Sequence, residues 1–305
     1  MQVPELVRLS AAANAGGAAW LRALPSLVDE LVARWGLTLG TPYEDASAGF
    51  VVPADRHGEP CVLKVPLRLE AQTGNSVTRA VAVHRLADGR GCARLIDVVA
   101  EPPALLMERL GPNLHAAGWQ LEELLDAIAD TLVTFWRPAA DLDMDLPTGR
   151  DRVEQQAVYI ERMWHDLAHP CERRLVDLVL EQCVERADAH DPGSAVIAHG
   201  DAHGWNTLEA DGGGCKFVDP EGVIAEPALD LAAAMREYNE PLLAGDTQVL
   251  VRDRAARLAE RAGVDVDAVL AWANIERLAT GLANLHDFGP VQAEPFFEVG
   301  ARLAR

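Results

Sequence analysis

His199-Gly200-Asp201-Ala202-His203-Gly204-Trp205-Asn206 follows the apolar run Ala195-Val196-Ile197-Ala198, and further on Phe217-Val218 leads into Asp219-Pro220-Glu221-Gly222. Each apolar run is too short for a helix and ends in carboxylates flanked by glycine, which predicts a hairpin of short strands with a loop at each mouth. The hairpin would bring three oxygen-bearing side chains, Asp201, Asn206 and Asp219, to the ends of adjacent strands. Hard cations such as Mg²⁺ take oxygens of this kind together with phosphate. An isolated H-G-D has a plainer reading, Asp and Asn side chains turning on their own backbone. The full spacing, H-G-D-x-x-x-x-N followed by an apolar strand and D-P-E-G, is far more restrictive.

Outward from this stretch the texture differs on the two sides. Upstream, Leu21, Leu24, Leu27, Val28, Leu31 and Trp35 recur at three- and four-residue intervals, predicting a helix from Ala18 to Trp35 that stops at Gly36. Thr38-Leu39, Phe50-Val51-Val52 and Cys61-Val62-Leu63-Lys64-Val65 are β-type runs split by turn residues, as in antiparallel hairpins. A helix over Ser76 to Asp88 and strands over Ala93 to Val99 and Ala104 to Leu110 complete a small sheet with one helix. From Leu121 onward helical spacing dominates, with helices expected near Leu121 to Trp136, Val153 to Leu167, Glu172 to Ala189, Leu229 to Glu237, Gln248 to Ala262, Val266 to Leu285 and Pro295 to Leu303. The expectation is an α+β chain of two lobes, an antiparallel-sheet lobe over residues 1–110 and a helical lobe over 111–305, joined near Gly111-Pro112 with a ligand cleft between them.

The chain has 305 residues, 49% of them hydrophobic, and 27 Lys+Arg stand against 47 Asp+Glu for a net charge of −20. That balance argues against nucleic-acid and anionic-membrane partners and toward a cationic ligand if charge selects one. Five cysteines lack the spacing of a zinc site or a disulfide framework. The first residues lack a signal peptide's basic and apolar regions, and no apolar run reaches bilayer length, so the expected location is the cytoplasm. Nothing in the sequence addresses the oligomeric state.

Phosphoryl transfer requires a carboxylate that orients an attacking hydroxyl, ligands for Mg²⁺, and a cation on the phosphates. The sequence offers Asp201 for the first, Asn206 and Asp219 for the second, and Lys64 for the third. Lys64 and Lys216 are the only lysines, so a lysine in an apolar strand points to a need for a compact point charge. The expected reaction moves the γ-phosphoryl group of ATP, or of GTP, to a hydroxyl of a small and cationic acceptor. The alternatives are a nucleotide-binding module without catalysis and a metabolic kinase with no resistance role. A zinc hydrolase built on His199, Asp201 and His203 is disfavoured because the tight loop lacks the helical i, i+4 presentation of a two-histidine zinc motif. Asp141, Asp143, Asp145 and Asp151 read as a solvated face that would suit a polycationic acceptor if they bordered the cleft.

At these motifs the chain resembles the aminoglycoside and hydroxyurea antibiotic-resistance kinases, the streptomycin 6-kinase-like branch of the kinase-like phosphotransferases. The resemblance runs through Leu31 to Leu39, Val62-Leu63-Lys64, Ala104 to Leu110, the His199 to Asn206 loop, Val218 to Gly222, Glu226 to Leu231 and the Ile275-Glu276-Arg277-Leu278-Ala279-Thr280-Gly281-Leu282 helix. It implies a bilobal protein-kinase-like fold, Asp201 as catalytic base, Asn206 and Asp219 on Mg²⁺, Lys64 on the ATP phosphates, and a hinge over Glu108 to Leu110 reading the nucleobase. It also implies a phosphate-covering loop at Asp45 to Phe50, with Ser47 and Gly49, although a plain hairpin turn reads equally well there. Asp230 is either the carboxylate that braces the catalytic loop or an ordinary acidic residue at a helix start. Two departures from the family pattern stand out. Ala80 falls where the glutamate partner of the phosphate lysine is expected, leaving Glu70 as the substitute or the lysine unpaired. Trp205 replaces a small residue and is either a core aromatic or a wall of the acceptor pocket.

Overall fold

Leu24, Val28, Leu31 and Trp35 lie on one face of a helix and are all buried, which is why Gly17–Trp35 folds as it does. Gly36 closes this helix in the left-handed conformation, φ 64°, and its N–H returns to Val32 O, a cap that costs a residue with a Cβ more than it costs glycine. In the computed structural model, which describes residues 2–67, 76–140, 142 and 144–305, the chain divides into two compact units, Met1–Gly111 and Pro112–Arg305.

The first unit holds α1 (Glu5–Ala12), α2 (Gly17–Trp35), β1 (Leu37–Leu39), β2 (Gly49–Arg56), β3 (Glu59–Pro66), α3 (Ser76–Ala87), β4 (Leu95–Val99) and β5 (Ala104–Glu108). The strands form one antiparallel sheet in the order β1-β2-β3-β5-β4. Side-chain alternation splits the sheet into two faces. Phe50, Val52, Leu63, Val65, Ala104 and Leu106 pack against α2, while Leu105 and Met107 pack with Val81 of α3. Trp35 Nε1 donates to Asp97 Oδ2 at 2.9 Å, tying α2 to β4.

The second unit holds α4 (Leu121–Phe135), α5 (Gly149–Asp166), α6 (Arg173–Ala189), β6 (Val196–Ala198), β7 (Thr207–Glu209), β8 (Cys215–Phe217), β9 (Val223–Ala225), α7 (Ala228–Arg236), α8 (Asn239–Leu243), α9 (Thr247–Ala262), α10 (Val266–Phe288) and α11 (Pro290–Leu303). Helix α10 is its centre, packed against α5, α6, α7, α9 and α11. None of the described helices is long and apolar enough to cross a membrane.

The structure departs from the sequence reading in the catalytic region. The two apolar runs do not pair with each other in a single hairpin. Strand β6 pairs with β9, and β7 pairs with β8 inside that loop. The β7–β8 turn closes through Gly212, Gly213 and Gly214, all at positive φ, and it is this local closure that takes β8 as partner for β7. Helix α5 starts at Gly149 instead of near Val153 because Thr148 and Asp151 form a reciprocal capping box. Helix α11 begins at Pro290, with Pro295 inside it, and α1 and α8 were not anticipated.

Candidate active site

The loop after β6 is built on a buried carboxylate. Asp230, fully buried in the first turn of α7, accepts from His199 N–H at 2.8 Å, Gly200 N–H at 2.7 Å and Trp136 Nε1 at 2.8 Å. Of the two readings of this residue, it is the brace. Gly200 sits at φ 89°, and a Cβ there would lie 3.0 Å from the Glu221 side chain, so the turn into Asp201 requires glycine. His199, also fully buried, donates from Nε2 to Val218 O at 3.0 Å and accepts the Asp201 N–H on Nδ1 at 3.2 Å. Both ring nitrogens are engaged, so His199 is no zinc ligand but a clip between the loop that carries Asp201 and the one that carries Asp219.

This clip works only as neutral imidazole, and burial pushes the His199 pKa down against the pull of Asp230 and Asp201. In the unfolded chain a histidine titrates near about 6.5, so below that pH the unfolded state takes up a proton that the folded state refuses. The stabilisation is present above the unfolded value and is lost as pH falls through it, by up to about 1.4 kcal/mol per pH unit. The urea midpoint should therefore drop between pH 7.5 and 5.5, and less steeply in His199→Gln. His115 shares the sign of shift, so the difference between the two proteins isolates His199. Equal slopes would refute the assignment.

The Asp201 carboxylate is held from two sides. Its Oδ2 accepts from His203 Nε2 at 3.2 Å and from Asn206 Nδ2 at 3.1 Å, while Oδ1 accepts from Arg236 Nη2 at 2.5 Å. Burial by itself would raise the carboxyl pKa, but the His203 hydrogen bond and the Arg236 charge outweigh it and hold the group well below the usual carboxylate range. A carboxylate has about four lone-pair positions, and here one on Oδ1 is left for another donor.

Asn206 commits its amide nitrogen to Asp201, both to the main-chain O and to Oδ2 at 3.1 Å, and among the described residues its amide oxygen accepts nothing. Asp219 stands at φ 60°, a left-handed conformation that Asp and Asn tolerate better than other side chains with a Cβ. Together they present an amide and a carboxylate oxygen from loops clipped to each other, a donor set that suits Mg²⁺ completed by phosphate oxygens. Among the described residues no group of three His, Cys, Asp or Glu side chains could hold a metal without such help.

Trp205 is not a core aromatic. It is 50% exposed, with its ring centroid 4.4 Å from that of His115, whose Nε2 meets Tyr238 Oη at 2.9 Å. Gly204 lets this cluster close, since a Cβ there would lie 2.7 Å from both His115 Nε2 and Tyr238 Oη. Glu237 flanks it, 3.9 Å from His203 Nδ1. Asp151 is the α5 cap, and Asp141 and Asp143 lie outside the described residues.

In the first unit, Lys64 pairs in register with Val51 and Leu105, on the sheet face that carries α3. Lys64 is not without an interaction partner. Glu70 lies outside the described residues. Ala80 is in α3. Glu108 N–H donates to Arg94 O at 2.9 Å and its carboxylate accepts from Arg94 N–H at 2.7 Å, so its own amide is committed; among the described residues the Leu110 N–H donates to nothing. Ser47 belongs to the turn before β2. Gly49 has a packing reason of its own, since a Cβ there would lie 2.5 Å from Val65 O.

With this geometry in view, the comparisons with known proteins are specific. The profile of the aminoglycoside/hydroxyurea antibiotic resistance kinases matches residues 34–285. The chain belongs to this family. It is a small-molecule kinase, one that transfers a phosphoryl group to a hydroxyl acceptor. A streptomycin 6-kinase of Streptomyces glaucescens is 28% identical over 295 residues, 94% of this chain and 92% of that one. A hydroxyurea phosphotransferase of Kitasatospora aureofaciens is 29% identical over 73% of this chain and 64% of its own length. Among solved structures, aminoglycoside phosphotransferase APH(4)-Ia in a ternary complex with ADP and hygromycin B covers 91% of this chain and 97% of its own, with a TM-score of 0.60. A choline kinase of Cryptosporidium parvum covers 87% of each chain with a TM-score of 0.56. At 15% and 13% identity these two likenesses establish the fold, kinase-like with an antiparallel sheet and a helical region.

The sequence reading missed Arg236 and His203 as partners of Asp201. Arg236 is 35 residues from Asp201, and nothing in its neighbourhood distinguishes it from a surface arginine at a helix end.

Proposed function

We propose that this kinase moves the γ-phosphoryl group of ATP, with GTP as the other donor the site could read, to a hydroxyl of a cationic, polyhydroxylated small molecule of the aminoglycoside type. The observation that carries the proposal is the state of Asp201: Oδ2 is filled by His203 and Asn206, and Oδ1 keeps one position beside Arg236. An acceptor hydroxyl donating to Oδ1 is oriented by a carboxylate that cannot rotate. With its proton affinity lowered by Arg236, Asp201 acts first as an orienting group and takes the acceptor's proton late, when the γ-phosphorus has largely broken its bond to the ADP oxygen and is bonding to the acceptor oxygen, as suits a loose transition state.

Asn206 and Asp219 would hold Mg²⁺, which when bound neutralises charge on the β- and γ-phosphates. Lys64 would pair with the phosphates, Ser47 and Gly49 would lie along them, and the Glu108–Leu110 stretch would read the base, the Leu110 N–H as its donor. The relatives' names support an antibiotic acceptor, and exposed Trp205 beside Glu237 suits a cationic one, an ammonium or guanidinium lying on the ring. ATP as the donor would suit an activity in the cytoplasm, the location expected from the sequence.

Incubation with Mg-ATP and a panel of streptomycin, other aminoglycosides, peptide antibiotics and hydroxyurea should yield a phosphorylated product by mass spectrometry. Nucleotide binding with no product across the panel would favour a module without catalysis. Asp219→Asn, which keeps the left-handed backbone accessible but removes the charge, should lower Mg²⁺-dependent nucleotide affinity by roughly tenfold or more in calorimetry. Unchanged affinity would remove Asp219 from the metal site.

A further inference from the structure

We infer that Glu276, in the C-terminal Glu276-Arg277-Leu278-Ala279-Thr280-Gly281-Leu282 motif, is a positioning residue for the reaction: it holds Arg236 against Asp201 and so fixes which carboxylate oxygen faces the acceptor. This rests on the reading of Asp201 as the base. Glu276 is 4% exposed in the middle of α10, the helix on which most of the second unit packs. Its Oε2 accepts from Arg236 Nη1 at 3.0 Å, and its Oε1 accepts from Arg152 Nη2 at 3.3 Å and Gln156 Nε2 at 3.2 Å. Arg152 continues to Glu221 at 2.8 Å. The charges thus alternate from Asp201 through Arg236, Glu276 and Arg152 to Glu221, linking the catalytic loop, the end of α7, α10 and α5.

Arg236 needs such an anchor. It is the last residue of α7, followed by extended Glu237 and by Tyr238 at φ 56°, and its long side chain has a further carboxylate, that of Glu237, within electrostatic reach. A planar guanidinium gripped at Nη1 by Glu276 and at Nη2 by Asp201 has both its position and its plane set. The next residue of the motif fixes the backbone at the same point: Arg277, 1% exposed, donates to Met235 O at 2.8 Å and to Asn239 Oδ1 at 3.0 Å, one on each side of Arg236. Adjacent residues of one rigid helix therefore hold the main chain and the side chain of the arginine that orients the base. Losing the Glu276 charge would leave Arg236 only Asp201 and Arg152 only Glu221 as hydrogen-bonded carboxylates, and would strand a buried N–H of each guanidinium.

The test is Glu276→Gln in the full-length enzyme, with streptomycin as first acceptor and whichever panel compound is turned over if streptomycin is not. We expect kcat to fall about 10- to 100-fold, the loss typical of a misplaced catalytic group. KM for ATP and Mg-ATP affinity by calorimetry should stay within about twofold, and a crystal structure should show Arg236 turned from Asp201. Arg236→Ala alone and the Glu276→Gln/Arg236→Ala double variant should have the same kcat, because Glu276 acts only through the Arg236 guanidinium. Glu276→Asp, which keeps the charge, should restore part of the rate and replaces Glu276→Gln if that protein does not fold. Wild-type kcat in Glu276→Gln, Arg236 unmoved in its crystal structure, or multiplicative losses in the double variant would overturn the inference. Asp201→Asn separates the two claims: if it is inactive while Glu276→Gln is fully active, only the role of Glu276 fails, whereas an active Asp201→Asn removes the base assignment itself.

Discussion

The Asp201→Asn enzyme should bind Mg-ATP as the parent does and turn over on the order of 10²-fold more slowly, or worse. Asparagine has the shape of aspartate, so the loop clipped by His199 and braced by Asp230 has no reason to move. The chemistry at the two oxygen positions does change. His203 and Asn206 both donate at Oδ2, which selects the amide oxygen for that side. The amide NH₂ then faces Arg236 at the Oδ1 position, donor against donor, where the acceptor hydroxyl was to donate. The variant thus loses both the orienting acceptor and the eventual proton site, while Lys64, Asn206 and Asp219 are untouched. A coupled ATP assay gives kcat, and calorimetry gives nucleotide affinity. Turnover within fivefold of the parent would show that another group receives the proton.

The parts of this site that were legible in the sequence are those whose chemistry is local. Asp201, Asn206 and Asp219 stood out because they lie at short, fixed offsets with glycine at the turns, the spacing expected of the loops proposed to position phosphate and metal. The sheet of the first unit was legible because Thr38-Leu39, Phe50-Val51-Val52 and Cys61 to Val65 are short β-type runs split by turn residues, the pattern of antiparallel hairpins. Strands of three residues carry no period at all, and so the pairing of β6 with β9 was read as pairing between the wrong runs. The ion relay was invisible for a different reason. Arg236 meets Asp201 over 35 residues and Arg152 meets Glu276 over 124, and an arginine at a helix end looks the same in sequence whether it faces solvent or a buried carboxylate. The Thr148–Asp151 capping box was present to be read and would have placed the start of α5 correctly. Trp205 shows the limit of residue type as a guide to burial: a large aromatic next to a glycine is half exposed, with its ring lying on that of His115.

Asp230→Asn should be as damaging to activity as the change at Asp201, and far more damaging to stability. In the parent, Asp230 offers acceptors to three donors, two of them buried main-chain N–H groups of consecutive residues. Asparagine can serve His199 N–H and Trp136 Nε1 with its one oxygen, which turns its NH₂ toward Gly200 N–H. Turned the other way, it satisfies Gly200 and confronts the other two. Either orientation leaves at least one buried donor unpaired and sets two donors against each other, a cost of about 1–3 kcal/mol for the orphaned group, with the loss of a charge-assisted bond in addition. Gly200 cannot relax freely, since its position is hemmed in by Glu221 and Val223, so the strain passes to the next peptide, that of Asp201. A shift there of even about 1 Å separates the base from an acceptor fixed elsewhere, which is enough to cost on the order of 10² in rate. The expected result is a urea midpoint lowered by the equivalent of about 3 kcal/mol, together with a kcat reduced per folded molecule and an ATP affinity little changed. Trp136→Phe supplies the control, because it removes one donor to Asp230 without leaving any main-chain group unpaired, and it should lose stability of only about 1 kcal/mol and little rate. If Asp230→Asn unfolds at the parent's urea midpoint, the carboxylate is an acidic residue at a helix start and the loop is braced by something else.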